Sequence, residues 1–292
     1  MTASHSVPRS WFTPDWPGLS ARVGVLTTTR LDGASPAPYD DGQGGGGFNL
    51  GVHVGDDPAN VLQNRASLRA VLPAEPFWLS QVHGTAVADA SSAGLASTAL
   101  QAAAKPPAQP AAPQAGSDVH PAAAPEADAS IARGPGAVCA IMTADCLPVL
   151  FSDVDGKIVG AAHAGWRGLA GGVLGRTLAA MRTAGAGEIM AWLGPAIGPE
   201  QFEVGADVLQ AFESGAPDTL ALSEVRAAFQ PIQGSSGKYL ADIYALARSM
   251  LRRDGVRQIS GGEFCTVTEK QRFYSYRRDK VTGRQATLIW IK

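Results

Sequence analysis

Cysteine, histidine and charge are all scarce in this chain, and each shortage excludes something. Three cysteines, Cys139, Cys146 and Cys265, are an odd number at unrelated spacings. That argues against a disulfide framework and for a reducing compartment. Charged residues make up only 17% of the 292, with 24 basic against 26 acidic side chains. A general nucleic-acid binder would carry a basic excess, so that class is not expected. No apolar run approaches the roughly 20 residues that cross a bilayer; the longest is broken at Thr143, Ala144 and Asp145. Met1 to Phe12 offers no apolar h-region and no small-residue cleavage site, so the expected location is the cytoplasm, away from membranes. Several catalytic signatures are also missing. There is no HExxH, no P-loop, no G-x-S-x-G, and no H-x-E paired with P-C-x-x-C, so the common zinc-protease, hydrolase and deaminase templates do not apply.

What is present is a globular composition, 45% apolar, long enough for a substantial core. Residues 22–29 read as a β-branched strand, followed by a glycine- and proline-rich loop over 31–47. Gly42, Gly44 and Gly47 satisfy G-x-G-x-x-G formally, but a glycine tract does so by chance and no helix start follows. Asp57 and Pro58 then read as N-cap and first residue of a helix with Val61, Leu62, Leu68, Val71 and Leu72 on its apolar face. Strand-like segments occupy 77–82 and 85–88. Residues 137–151 read as strand, kink and strand, and 157–163 as a returning strand. A helix is expected over 168–182, a strand over 188–193, a second helix over 239–252 and a closing strand over 286–291. Hairpin-like and helical connections alternate, which predicts an α/β fold with a mixed sheet and flanking helices.

Between Ser91 and Pro125 the composition changes abruptly to alanine and proline, with Lys105 and Asp118 as the charged residues. Such a segment has little to bury and reads as a flexible, low-complexity insertion. It interrupts one domain spanning 1–292 and does not separate two, because candidate ligands stand on either side of it.

Those candidates are His83, Cys146 and His163. His83 follows an apolar strand in Ser80-Gln81-Val82-His83-Gly84. Cys146 sits at the break between two strands, and His163 closes a strand just before Ala164-Gly165-Trp166-Arg167-Gly168. Strand ends are where a rigid sheet holds reactive groups while loops admit substrate. Two imidazoles and a thiolate suit zinc, leaving a fourth position open, and Asp145 is placed to orient one imidazole. The same residues admit another reading, with Cys146 as a nucleophile and His163 as its base. Cys139, inside an apolar strand, reads as core. Arginine is the second theme: Arg65 in the first helix, Arg167 at a helix start, and Arg272, Arg277, Arg278 and Arg284 crowded near the C-terminus. Guanidinium forks suit phosphate or another anion.

Phe48–Gly55 with Asp56-Asp57-Pro58 and Asn64-Arg65, Gln81-Val82-His83-Gly84, Thr143–Pro148 and His163–Gly168 together resemble the YfiH-like family. That family is also called the multicopper polyphenol oxidoreductase, or laccase-domain, family. Trp192–Gly198, Cys265-Thr266, Tyr274–Arg278 and Thr282-Gly283-Arg284 extend the resemblance in order from about residue 20 to the C-terminus. The glycine tract at 42–47 and the segment 91–125 depart from it, both between motifs. The resemblance implies a single α/β sandwich sharing its topology with a cysteine-hydrolase toxin, and zinc on His83, Cys146 and His163. It further implies phosphorolysis of adenosine, inosine and methylthioadenosine, and deamination of adenosine. A related implied role is peptidoglycan editing on a nucleotide-linked cell-wall precursor. Cys146, His163 and Asp145 then become candidate catalytic groups, and Asn49, Arg65, Arg167 and Arg277 candidate contacts to nucleoside and phosphate. Which protein partners it has is left open. A multicopper laccase is rejected by counting, since it needs many histidines in H-x-H pairs and this chain has five histidines and no such pair. Copper replacing zinc at the same three ligands would at most oxidise phenols weakly.

Overall fold

The computed structural model describes residues 7–91 and 124–292, so the alanine-proline segment 91–125 lies, but for its ends, outside the described residues. The first half contains β1 (Val23–Thr27), α1 (Pro58–Arg69), β2 (Pro76–Phe77), β3 (Val87–Asp89), β4 (Ala129–Arg133), β5 (Val138–Thr143), β6 (Leu147–Asp153) and β7 (Ile158–Ala164). The second half contains α2 (Trp166–Ala170), α3 (Val173–Thr183), β8 (Ile189–Leu193), β9 (Glu203–Gly205), α4 (Ala206–Ser214) and α5 (Thr219–Ala227). β10 (Phe229–Pro231), β11 (Lys238–Ala241), α6 (Ile243–Arg253), β12 (Ile259–Gly261), α7 (Tyr276–Asp279) and β13 (Gln285–Ile291) complete it.

Two mixed sheets face each other. One has the order β1-β13-β5-β2 and the other β12-β8-β6-β7-β4-β3, while β10-β11-β9 form a small separate sheet. Each large sheet combines antiparallel pairs with a parallel edge, β2 on β5 in one and β12 on β8 and β3 on β4 in the other. The strands are buried on both sides, which is why they read as continuous apolar runs and not as alternation. Val25, Ile141 and Ile289 of the first sheet meet Leu150, Val159 and Trp192 of the second between the layers. On the outer face of the six-stranded sheet, Val149, Phe151 and Ala162 pack under Leu174, Leu178 and Met181 of α3 and Leu246 and Leu251 of α6. Ala140 and Leu288, on the outer face of the other sheet, are covered by Leu68 of α1 with Phe48 and Leu50. The architecture is a helix–sheet–sheet–helix sandwich.

Several sequence expectations hold at the level of single residues. The Asp57 carboxylate accepts the Ala59 N–H at 2.9 Å and Pro58 opens α1. The kinked strand 137–151 is β5 and β6, and the kink is the point where the chain leaves one sheet and enters the other. Three expectations are corrected. The helix over 168–182 is two helices beginning at Trp166, split where Gly172 adopts φ of 90°, a left-handed conformation natural to glycine. The helix over 239–252 begins only at Ile243, because Tyr239 and Leu240 pair in β11 with both β10 and β9. Asp242, accepting the Ala245 N–H at 2.9 Å, caps that helix and marks the switch. Leu62 does not join the apolar face of α1. One residue beyond Val61 it is turned about 100° around the axis, and it is 63% exposed, whereas Leu68 is fully buried.

That contrast makes a test. Leu68→Ala should cost about 2–5 kcal/mol of unfolding free energy in denaturant titration, and Leu62→Ala less than about 0.5 kcal/mol. Equal losses would mean that the helix packs with another face.

Candidate metal centre

The three sequence candidates converge. One donor atom from each of His83, Cys146 and His163 lies within 4.8 Å of the others, and among the described residues no other group of three such side chains does so. Cys146 Sγ stands 3.6 Å from His83 Nε2, and the two imidazole rings meet edge to face at 4.7 Å between centroids. The donors come from separate parts of the fold. Cys146 lies at the crossing from β5 to β6, in the seam between the sheets, His163 in β7 beside it, and His83 in the loop between β2 and β3. β6 and β7 pair antiparallel with Pro148 opposite His163, which fixes sulfur and imidazole on adjacent strands.

His83 needs more support, because a loop residue with φ of 62° is held in a region L-residues avoid. The support is Asp128. Its carboxylate accepts the N–H groups of Val82 at 3.2 Å, His83 at 2.9 Å and Gly84 at 2.6 Å. Consecutive N–H groups around a left-handed residue form a concave anion seat, and here the anion is a fully buried side chain. The same carboxylate lies 2.8 Å from His163 Nδ1. Nδ1 therefore carries the proton, and Nε2 is left as a lone-pair donor. Burial would raise the Asp128 carboxyl, but the hydrogen bonds from His163, Gly84 and Val82 outweigh it and hold it below the usual range. Gly165 completes the geometry: a Cβ there would stand 2.8 Å from His83 Cδ2 and 2.9 Å from Cys146 Sγ.

Asp145, expected to orient an imidazole, does something else. At φ of 94° it turns away from the histidines, accepting the Thr266 hydroxyl at 2.6 Å and the Arg277 N–H at 2.6 Å. It ties α7 and the Thr266 segment beneath the cysteine, and Asp128 takes the orienting role. The thiol of Cys146 is opposed by burial, yet the charge and hydrogen bond of His163, with those of His83, bring it down to about 6. His163 is raised correspondingly, since the Cys146 thiolate and Asp128 overcome its burial. Two nitrogen donors and a thiolate, one imidazole backed by a carboxylate, fit a zinc or other N/S-preferring ion.

The remaining candidates divide. A cavity of about 750 Å³ opens on the triad and is lined also by Arg65, Trp78, His53 and Arg284. A second, of about 500 Å³, shares His83, Cys146 and Tyr276 with it and is lined by Arg167 and Arg277. Arg167 lies over the Trp166 ring at 4.3 Å, and Arg277 Nη2 donates to the Glu203 carbonyl at 2.9 Å. Asn49 is fully buried and lines neither cavity. Arg272, paired with Glu269, and Arg278, spent on the carbonyls of Thr266, Val267 and Phe273, are structural. Asp128, His53 and Trp78 were missed. The only signal for Asp128 was an acid placed just before a strand otherwise free of charge up to Arg133.

A sandwich of two mixed sheets carrying, in the seam, a His2Cys donor set that could hold a metal ion defines the class. The model of the family described as multi-copper polyphenol oxidoreductase laccase matches residues 24–292, and the chain belongs to that family. It is 44% identical to the protein named purine nucleoside phosphorylase PA4543 of Pseudomonas aeruginosa, over 97% of this chain and 99% of the relative. It is 46% identical to the purine nucleoside phosphorylase YfiH of Escherichia coli K12, over 95% and 97%. The crystal structure of Neisseria meningitidis protein NMB0706 superposes with a TM-score of 0.77 at 43% identity, covering 97% of this chain and all of that one.

The roles of the two acids can be separated by metal affinity. Asp128→Asn should weaken zinc binding by about 10–100-fold in competition with a chromogenic chelator, whereas Asp145→Asn should leave it within a few-fold of wild type. Equal weakening would return the orienting role to Asp145.

Proposed function

We propose that this protein is a zinc-dependent purine nucleoside phosphorylase acting on adenosine, inosine and methylthioadenosine, and that it also deaminates adenosine. The observation that carries the reading is the single His83–Cys146–His163 donor set opening on a cavity large enough for a nucleoside. The names of relatives matching nearly the whole chain support it. The donor count agrees, since one His2Cys set is a mononuclear site and a multicopper oxidase needs several.

Zinc held by these three residues would supply a Lewis acid at the cavity wall. The protein's own side chains do the rest. Asp128 fixes the His163 tautomer and keeps both imidazoles in place. Trp78, Leu79 and Met142 give the cavity apolar walls suited to a purine. In phosphorolysis an oxygen of phosphate bonds to C1′ of the sugar, the C1′–N9 bond breaks, and the purine leaves with its electron pair and takes up a proton. The site's task is to hold phosphate against the developing positive charge on the sugar. In deamination water adds at C6 and ammonia departs, leaving inosine.

Mass analysis of products tests the reaction. With phosphate, adenosine should give adenine and ribose 1-phosphate; without it, inosine and ammonia. Chelation should stop both and zinc restore them. Adenosine recovered intact under all conditions would remove the proposal.

Cys146 offers a separate test of metal chemistry against a cysteine nucleophile. As a ligand its sulfur is shielded, so iodoacetamide should modify zinc-loaded protein at least about ten-fold more slowly than chelated protein. In the chelated protein the rate should fall as pH drops below about 6, because the thiolate is then protonated. Fast alkylation with zinc bound, or a covalent substrate adduct on Cys146, would establish the nucleophile.

A further inference from the structure

Two guanidinium groups line the larger cavity, and the acids that act on them, Glu75 on Arg65 and Asp145 on Arg284, stand outside its described lining. Arg65 of α1 and Arg284 from the loop before β13 both line it, and among the described residues no aspartate or glutamate does. Arg65 donates twice to the Leu50 carbonyl, at 3.0 and 2.9 Å, and lies 4.1 Å over the Trp78 ring. Arg284 donates from Nη1 to the carbonyls of Thr282 and Gly283 at 3.1 and 3.0 Å. Carbonyls satisfy N–H groups but do not balance the charge. Burial accordingly pushes both guanidiniums below their usual range. Two half-buried guanidiniums facing one cavity with no hydrogen-bonded carboxylate of their own suit an anion that arrives from solution.

The two arginines are positioned by one short stretch of chain. The Asn49 side-chain oxygen accepts the N–H groups of Gly51 and Arg284, each at 2.9 Å, and its amide donates to Asp56 at 2.8 Å. The Leu50 N–H reaches the Arg284 carbonyl at 3.1 Å, while the Leu50 carbonyl holds Arg65. Gly51 is needed because a Cβ there would stand 2.9 Å from Arg284 Cγ. His53, two residues on, lines the same cavity. Burial, then Arg284, then Arg65 lower its pKa, and either protonation state of its imidazole has an N–H to give. Residues 49–53 thus fasten a helix arginine to a loop arginine and add a donor of their own. The smaller cavity differs: its Arg167 and Arg277 share the walls with Asp145, Glu203 and Asp207, so acids already match the bases.

We infer that Arg65, Arg284 and His53 form a phosphoryl-binding site inside the metal cavity, with inorganic phosphate as its occupant and Asn49 as its positioning residue. This rests on the phosphorolysis reading for the occupant and on the geometry alone for the site. Arg167 and Arg277, taken from the sequence as phosphate contacts, are assigned no part in it. The shared chemistry is an anionic tetrahedral phosphoryl group, which a free phosphate or the diphosphate of a nucleotide-linked substrate would both present.

Calorimetric titration of zinc-loaded protein with inorganic phosphate, and separately with uridine diphosphate, tests the site without turnover. Arg284→Gln and Arg65→Gln should each weaken phosphate binding about ten-fold or more, Arg284→Lys should recover part of the loss, and Arg277→Gln should keep wild-type affinity. In turnover, the phosphate KM should rise in the first two variants while the adenosine KM stays within a few-fold. The Lys variant guards against misfolding, since it keeps the charge and the cavity wall. If uridine diphosphate loses affinity and phosphate does not, the site stands but phosphorolysis falls. Wild-type protein that binds neither anion, affinities unchanged in both Gln variants, or an equal loss in Arg277→Gln would overturn the assignment.

Discussion

A single buried carboxylate holds the metal centre together. Asp128 accepts three successive backbone N–H groups from residues 82–84 and faces the Nδ1 of His163. Removing a carboxylate from water costs several kcal/mol even after relaxation, and four hydrogen bonds to the charged form are what offset it. In return, the loop carrying His83, which would otherwise be free to wander, is fixed against β4 and β7. The left-handed conformation of His83 follows from the same constraint: without it the three N–H groups would not point to one side.

The seam between the sheets explains why the centre is where it is. β5 belongs to one sheet and β6 to the other, so residues 143–146 must cross between layers. That crossing uses a left-handed Asp145 anchored to Thr266 and to the start of α7. Cys146 is the last residue of the crossing, beside His163 of β7. The arrangement leaves one side of the triad open to cavities and the other closed by Gly165, where no side chain could fit. A donor set closed on one side and open on the other is what a reactive metal needs.

The family's description speaks of several coppers, and this chain's donors speak of one ion. Among the described residues only one cluster could hold a metal, and the whole sequence has five histidines. The fold sets that one candidate donor set beside a cavity with both apolar and arginine lining. Apolar surface suits a purine ring, and buried guanidiniums suit an anion.

Much of this was legible in the chain itself. The strands β1, β5, β6, β7, β8 and β13 announced themselves as apolar runs because they are buried on both faces, and Asp57-Pro58 marked α1 by local capping chemistry. The three metal donors stood out because histidine and cysteine are rare here and each lies at a strand end. The boundaries of α3 and α6 were blurred, because an apolar run continues unchanged through Gly172 and through Asp242 while the backbone does not. Asp128 was hidden for a different reason. It stands 45 residues from His83 and 35 from His163, and nothing in a sequence says which acid a folded sheet will bring beneath them. Proximity in the chain favoured Asp145, but the crossing between the sheets turns its side chain away from the histidines. The split of the arginines into structural ones and those that line the two cavities was equally invisible, since what a side chain faces is a property of packing. Residue chemistry and local periodicity determined the candidate donors, the helices' caps and the sheets' strands; only the tertiary structure decided which carboxylate orients the histidines and which arginines face the cavity, because burial and long-range hydrogen bonding exist only once the layers have closed.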